Sequence, residues 1–318
     1  MRYDFERPLK ELEDQLERIT LYARNNDINM EAEIASLREK LADRLREICA
    51  GLTSYQRIQL ARHLDRPNMM DYLERIAEDF VELHGDRAFR DDHAITAGLG
   101  KIDGLPVALL GHQKGHDTKE NLECNFGMAH PEGFRKARRV MELADRFGLP
   151  IITFIDAAGA YPGDQAEERG QALVIAENLQ AMAAMKVPII ACVTGEGGSG
   201  GALAIGVANR VLIFENAYYA VCTPEACASI ILKDGSKAPE MVDNMRILAR
   251  DLLEMGLVDE VMPEPLGGAH RDPDAAAATL KEAVLRHLRE LLALSPEELR
   301  EDRHRRFRRM GVFQETGR

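Results

Sequence analysis

Residues 195–201 read Gly-Glu-Gly-Gly-Ser-Gly-Gly and stand between an apolar run, Val187–Thr194, and a segment of small residues, Gly201–Ala208. The apolar run predicts a buried strand, and the segment after it predicts a helix. Glycines at such a junction let backbone amides approach a ligand, and amides at the start of a helix favour anions. The stretch therefore predicts a strand–turn–helix unit with a ligand at its turn.

The same alternation of strand and helix extends on both sides of this stretch. Further buried strands are predicted at Pro106–Gly111, Ile151–Ile155 and Val211–Phe214, and further helices at Glu132–Phe147 and Ala166–Met185. Strands that alternate with helices are joined by crossover connections, which produce a mostly parallel sheet. The sequence therefore predicts an α/β fold.

The two ends of the chain have a helical pattern. Residues 8–49 contain no glycine and show two apolar stripes at spacing three and four, interrupted at Asn25-Asn26-Asp27, which predicts an N-terminal helical hairpin. Asp274–Arg309 predicts a C-terminal helical arm. We therefore expect an N-terminal helical region over residues 1–80 and one α/β domain with C-terminal helices over residues 81–318.

Composition excludes several classes of protein. The net charge of −12 argues against a nucleic-acid-binding protein, which needs a basic surface. No run approaches the roughly 18 apolar residues that span a bilayer. The first ten residues are charged, unlike a signal peptide. The five cysteines form no C-x-x-C pair, which argues against disulfides and against a zinc ribbon. We expect a cytoplasmic protein with reduced cysteines and no metal.

The glycine stretch also matches a dinucleotide-binding pattern. Gly195, Gly197 and Gly200 satisfy G-x-G-x-x-G, and Glu215 ends the next predicted strand, where such sites carry an acid. That pattern normally opens its domain, whereas several predicted strands precede it in this chain. Position therefore argues against a dehydrogenase.

A third interpretation is a serine hydrolase. Gly197, Ser199 and Gly201 fit G-x-S-x-G, the turn that presents a nucleophilic serine. The remaining triad members would be Asp259 and His270, which follow in the order that these enzymes use. Sequence spacing does not show whether the three side chains meet, so this alternative stays open.

A second glycine-bearing loop favours a site made of backbone amides. Asp156–Gly163 follows the predicted strand Ile151–Ile155 directly. Two loops that follow neighbouring parallel strands can face one crevice. Thioester chemistry through an enolate needs donors fixed where negative charge develops, and amides can supply them without a nucleophile.

With both loops in place, the chain resembles the alpha-subunit family of the two-subunit carboxyltransferase of bacterial acetyl-CoA carboxylase. The matching stretches are Gln59–Arg62, Gly85–Arg87, Gly111–Gly115, Asn125–Met128, Pro131–Ala137, Gly159–Gly163, Ala166–Gln171, Gly195–Ala204 and Pro263–His270. They run over nearly the whole chain.

The resemblance implies a crotonase-like (ClpP/crotonase) fold, a superhelix of beta-beta-alpha turns. It implies transfer of a carboxyl group from carboxybiotin, held on a separate carrier protein, to acetyl-CoA, which gives malonyl-CoA for fatty acid biosynthesis. Another acyl-CoA, such as propionyl-CoA, fits the same resemblance. The implied partners are a beta subunit with a zinc ribbon in an alpha2beta2 heterotetramer, the biotin carboxyl carrier protein and biotin carboxylase.

The resemblance also assigns the site. It implies that the amides of Gly200 and Gly201 hold a developing oxyanion, the biotin ureido oxygen, while the beta subunit supplies donors for the thioester oxygen. The residues expected to contact substrate are Gly197, Gly198, Gly159, Ala160 and Tyr161. No metal ligand is expected on this chain.

Overall fold

The computed structural model describes residues 3–311, which form an eight-stranded sheet flanked by helices. The strands are β1 (Glu78–Glu82), β2 (Ile95–Ile102), β3 (Leu105–His112), β4 (Ile151–Ala157), β5 (Ile189–Gly198), β6 (Arg210–Phe214), β7 (Tyr218–Ala220) and β8 (Glu260–Met262). The strand order is β1-β2-β3-β4-β5-β6-β8, and β7 pairs with the end of β5. The predicted α/β class is confirmed.

The α-helices occur in the N-terminal region, between the strands and after β8. They are α1 (Arg7–Asn26), α2 (Glu31–Gly51), α3 (Ser54–Ala61), α4 (Met69–Ile76), α5 (Thr118–Glu123), α6 (Pro131–Phe147), α7 (Asp164–Glu168), α8 (Gln171–Ala184), α9 (Ser199–Leu203), α10 (Pro224–Ile231), α11 (Ala238–Met245), α12 (Ala249–Glu254), α13 (Pro273–Leu291) and α14 (Pro296–Arg308). Short 3-10 turns lie at Asp4–Glu6, Asn125–Gly127, Gly235–Lys237 and Ala269–Arg271.

The centre of the sheet is parallel and buried on both faces. The pairs β3–β4, β4–β5, β5–β6 and β6–β8 are parallel, while β1 and β2 add antiparallel strands at one edge. Every residue of β4 and β5 is buried, because helices cover both faces of a parallel sheet. The carboxyl ends of β4 and β5 therefore open at the same edge of the sheet.

Three predicted segments differ from the structure near this edge. Residues 195–198, expected in a loop, continue β5 and pair with β7. The expected single helix Ala166–Met185 is divided into α7 and α8 at Gly170, whose φ of +83° is incompatible with a continuous helix. The helix after the glycine stretch is also shorter than predicted, since α9 ends at Leu203.

The helical hairpin is present as α1 and α2, joined at Asp27 in a left-handed conformation. The apolar stripes of the two helices are mostly half-buried, and Leu9 is the one residue of α1 and α2 that is fully buried. The proposed boundary at residue 80 lies within β1, and the division stays a prediction; residues 1–2 and 312–318 of the two expected regions lie outside the described part. Among residues 3–311, no helix has the length and apolar character needed to cross a bilayer.

Candidate functional site

The two glycine-bearing loops meet at the carboxyl edge of β4 and β5. Ala157 at the end of β4 is the register partner of Gly197 in β5. A Cβ atom added to Gly198 would lie 2.0 Å from the carbonyl oxygen of Ala158, and one added to Gly201 would lie 2.4 Å from the carbonyl carbon of Gly159. Both neighbours are backbone atoms, which cannot move aside as a flexible side chain can. The line of contact between the two loops, here called the seam, therefore has no room for a side chain at Gly198 or Gly201.

The turn from β5 into α9 leaves backbone amides without helical acceptors. Ser199 has a φ of +50°, a left-handed conformation that turns the chain sharply into α9. The first amides of a helix have no acceptor within it, and the capping Gly198 has no side chain to occupy them. Gly200 is half-buried and Gly201 is buried. The assignment of their amides as oxyanion donors fits this geometry and stays a prediction.

An apolar cavity of about 320 Å³ opens beside Gly200. Its walls come from the α9 region, β7, α12 and the C-terminal helix: Ser199, Gly200, Leu203, Gly206, Val211, Tyr219, Ala220, Val221, Leu252, Leu257, Arg306, Phe307 and Met310. A ligand in this cavity would have a backbone amide at one end and apolar walls around the rest.

The second loop, Asp156–Gly163, is fixed to the rest of the protein by hydrogen bonds at Tyr161. The Tyr161 amide donates to the carbonyl of Ala129 at 3.0 Å, and Gln171 Nε2 donates to the carbonyl of Tyr161 at 3.0 Å. The Tyr161 ring stacks on His130, with centroids 4.1 Å apart. Gly159, Ala160 and Tyr161 are half-buried, and their contact with substrate stays a prediction.

Gly197 and Gly198 are also expected to contact substrate. Both are more buried than a residue that contacts substrate would be. Both are buried in β5. A Cβ on Gly197 would lie 2.9 Å from the ring of Tyr219. Packing against β7 and the β4 loop therefore requires glycine at both positions, whether or not their backbone meets substrate.

A charged cluster that the sequence analysis did not assign lies directly beneath the loops. Lys114 Nζ donates to Asp156 Oδ1 at 2.7 Å and to Glu196 Oε2 at 2.9 Å. Glu196 Oε1 accepts from Arg62 Nε at 2.5 Å and from the Tyr218 hydroxyl at 2.7 Å. The Glu196 amide donates to Asp156 Oδ1 at 2.9 Å. Residues from α3, β4, β5, β7 and the segment after β3 thus converge on two buried carboxylates.

The pKa shifts show how these charges are held. Burial raises the pKa of Glu196, but the charges of Lys114 and Arg62 outweigh this effect and lower the pKa to about 2. Burial lowers the pKa of Lys114, and the carboxylates of Asp156 and Glu196 more than offset this, so that its pKa is raised. Glu196 and Lys114 therefore both remain ionised at neutral pH.

His112, which precedes this cluster, is a neutral hydrogen-bonding residue. Burial lowers its pKa to about 3, and the nearby charge of Lys114 acts in the same direction. Its Nδ1 accepts from the amide of Asp156 at 3.3 Å. His112 therefore supports the end of β4 instead of acting as a base.

The hydrolase alternative is wrong. His270 stacks on His63, with centroids 4.0 Å apart, and lies 3.4 Å from Glu6. Asp259 binds the amide of Val211 and the guanidinium of Arg306. The two side chains are thus engaged elsewhere, and no triad forms with Ser199.

Comparisons with known proteins show the family of the chain. The model of the family described as acetyl co-enzyme A carboxylase carboxyltransferase-like matches residues 2–311. The chain belongs to this family. A member from Thermus thermophilus, named acetyl-coenzyme A carboxylase carboxyl transferase subunit alpha, is 54% identical over 315 residues, which are 99% of this chain and 100% of that protein.

Solved structures show the fold of the family. Transcarboxylase 12S, with methylmalonyl-coenzyme A and methylmalonic acid bound, is similar with a TM-score of 0.59 at 18% identity, over 82% of this chain and 47% of that chain. The Pseudomonas malonate decarboxylase hetero-dimer is similar with a TM-score of 0.53 at 20% identity, over 68% of this chain and 90% of that chain. The expected crotonase-like fold is confirmed.

One group of side chains in the carboxyltransferase chain resembles a metal site. Glu6, His63 and His270 are close enough to share an ion. However, His63 Nδ1 accepts from the amide of Asp65 at 3.1 Å, so its other nitrogen carries the proton and faces Glu6 Oε2 at 3.6 Å. A protonated nitrogen has no lone pair for a metal.

We therefore expect the purified chain to contain less than about 0.1 zinc per chain, because no cysteine among residues 3–311 belongs to a group of three possible ligands and this histidine is not a ligand. Elemental analysis after dialysis against a weak chelator measures this. A zinc content near one per chain that falls in His63→Ala would contradict the assignment of the cluster as a hydrogen-bonded one.

Proposed function

We propose that this chain is the alpha subunit of an acetyl-CoA carboxylase carboxyltransferase and that, with a beta subunit, it transfers the carboxyl group of carboxybiotin to acetyl-CoA. The observation that carries the proposal is the seam of backbone between the two loops, at which Gly201 is buried against Gly159 while Gly200 lines an apolar cavity. Membership of the carboxyltransferase family supports the same reaction.

The cavity beside Gly200 fits the ring system of biotin. Apolar walls suit a bicyclic hydrocarbon and thioether skeleton, and a backbone amide at one end suits its polar ureido oxygen. When bound, carboxybiotin supplies the carboxyl group and leaves negative charge on that oxygen. The amides of Gly200 and Gly201 stabilise this charge where it develops, because they are fixed before the reaction begins. The proposal includes Ala160 and Tyr161, on the second loop, as residues that contact the substrate.

The proposed partner is a beta subunit that covers the open side of the site. Exposed apolar side chains flank the glycine loops: Leu173 is 63% exposed, Leu203 is 40% and Val221 is 82%. Exposed apolar side chains beside a site are expected where a partner covers it. The proposal includes an alpha2beta2 heterotetramer, a biotin carboxyl carrier protein and biotin carboxylase as further partners. It places the reaction in the cytoplasm, which agrees with five free cysteines.

The test is carboxyl transfer in the reverse direction, from malonyl-CoA to biocytin. We expect no transfer by the chain alone, because the thioester oxygen lacks its donors, and turnover when the matching beta subunit is added. The beta subunit alone is the control. Methylmalonyl-CoA replaces malonyl-CoA in a parallel reaction and distinguishes an acetyl-CoA enzyme from a propionyl-CoA enzyme.

Two results would contradict the proposal. The first is an assembled complex of alpha and beta chains that transfers no carboxyl group from either donor. The second is an isolated chain that hydrolyses acyl esters and loses this activity in Ser199→Ala.

A further inference from the structure

The charged cluster beneath the loops connects the two strands that carry them. Asp156 lies two residues before Ala158 in the β4 loop, and Glu196 lies three residues before the turn at Ser199. Lys114 bridges their carboxylates, and its side chain is only 18% exposed. A single ammonium group thus bridges the ends of the two strands, beside the bond from the Glu196 amide to Asp156 Oδ1.

Lys114 does not face the cavity beside Gly200. It lines a second, polar cavity of about 310 Å³, together with Arg62, Arg66, Asp156 and Glu196. Ala158 lies between this cavity and Gly198, across the seam of backbone described above. Lys114 therefore acts on the reacting atoms only through the loops.

The polar cavity itself is not equipped for a charged ligand. Arg62 pairs with Glu196 and Glu225, and Arg66 Nη2 binds Glu264 at 2.7 Å. Lys114 pairs with Asp156 and Glu196. Since each of these three cations already has a carboxylate partner, the function of the cluster lies within the protein.

We propose that Lys114 is a positioning residue for carboxyl transfer: it fixes the distance between the β4 and β5 loops and so places the backbone donors. The inference rests on the proposed function. Without the ammonium, two like charges face each other in a buried place and repel, which separates the strand ends. A shift of about 1 Å in a donor can cost on the order of 100-fold in rate.

The test compares Lys114→Met with wild type in the assembled alpha–beta complex. We expect kcat for malonyl-CoA-dependent biocytin carboxylation to fall about 10- to 100-fold, with KM for malonyl-CoA within about threefold. Lys101→Met is the matched control, because Lys101 Nζ also binds a carboxylate, Asp79, at 2.7 Å, but on the exposed edge strands. It should retain wild-type kcat.

The pH profile separates positioning from a general loss of folding. In Lys114→Met the pKa of Glu196 should rise, because the charge of Lys114 is one of the causes that lower it. Protonation of Glu196 removes the repulsion between the two carboxylates, so kcat of the variant should increase relative to wild type as the pH is lowered. The other charged or titratable groups facing the pair are unchanged: Arg62, Arg66, Tyr72, His112, Tyr218, Glu225 and Glu264.

A double variant completes the test. Lys114→Met/Asp156→Asn removes one of the two like charges and keeps an acceptor for the Glu196 amide, so it should recover most of the lost kcat. Wild-type kcat in Lys114→Met, or a loss that neither low pH nor the double variant reverses in a complex of normal size, would overturn the inference. Absence of transfer in the wild-type complex would instead overturn the proposed function.

Discussion

Replacing Gly201 with alanine is expected to lower kcat of the assembled complex about 100- to 1,000-fold, which corresponds to roughly 3–4 kcal/mol of transition-state stabilisation. The added Cβ would lie 2.4 Å from the carbonyl carbon of Gly159 and 2.6 Å from the amide nitrogen of Ala160. Neither atom can move without shifting the β4 loop, so the donors leave their positions. KM should change less than kcat, because the donors act mainly on the transition state. Steady-state carboxylation of biocytin measures both constants.

The neighbouring serine provides a matched control. Ser199→Ala removes one exposed hydroxyl worth about 1 kcal/mol at most, so it should remain within about tenfold of wild type. Each variant must first elute as a complex of normal size. An active Gly201→Ala beside an inactive Ser199→Ala would contradict the amide mechanism.

The second large effect is expected at Arg303, on stability. Its side chain is fully buried, and its guanidinium donates to the carbonyls of Met182, Met185 and Val187 at 2.7 to 2.9 Å. Burial lowers the pKa of Arg303 to about 10, so it still carries its charge at pH 7. Arg303→Met should cost about 3–5 kcal/mol in the free energy of unfolding, because three buried carbonyls lose their donors. Urea denaturation of the full chain, followed by circular dichroism, gives the value.

Arg305→Met is the control for this experiment. Arg305 lies on the same helix, is 56% exposed and reaches Glu301 only at 3.9 Å. Its replacement should change the free energy of unfolding by about 0.5 kcal/mol or less. Equal destabilisation by the two variants would show that α14 contributes through its helix and not through the buried guanidinium.

The central strands could be predicted from sequence because they are continuous apolar runs, whereas the peripheral strands could not. β7 and β8 contain three residues each, too few for a periodic pattern. β2 includes Gly98, where a Cβ would lie 2.3 Å from the carbonyl oxygen of Val81 in β1. Glycine weakens a strand pattern, and only the close approach of β1 explains its presence.

At the site, sequence was sufficient for the loops and insufficient for their support. Neighbouring parallel strands end at one edge, so two glycine-bearing loops after such strands could be expected to meet. Arg62 and Glu196, in contrast, are separated by 134 positions, and no local pattern connects them. The available signal was chemical: Asp156 and Glu196 are carboxylates at the ends of otherwise apolar strands, where an isolated charge requires a partner.

Arg303 shows the same limitation at the C-terminus. It belongs to a basic run with Arg305, Arg306, Arg308 and Arg309, and such a run ordinarily indicates a solvated helix face. Its burial depends on the carbonyls at the end of α8, more than 100 positions earlier. Only the tertiary structure distinguishes Arg303 from its neighbours.

The apolar cavity beside Gly200 takes part of its wall from Arg306, Phe307 and Met310, which lie in or just after α14. A ribosome makes a protein from its N-terminus, and domains begin to fold while synthesis continues. The strands and glycine loops can therefore pair before this wall has been made, because α14 follows them in the chain. A chain truncated before α14 would keep the donor loops and lack this wall of the cavity.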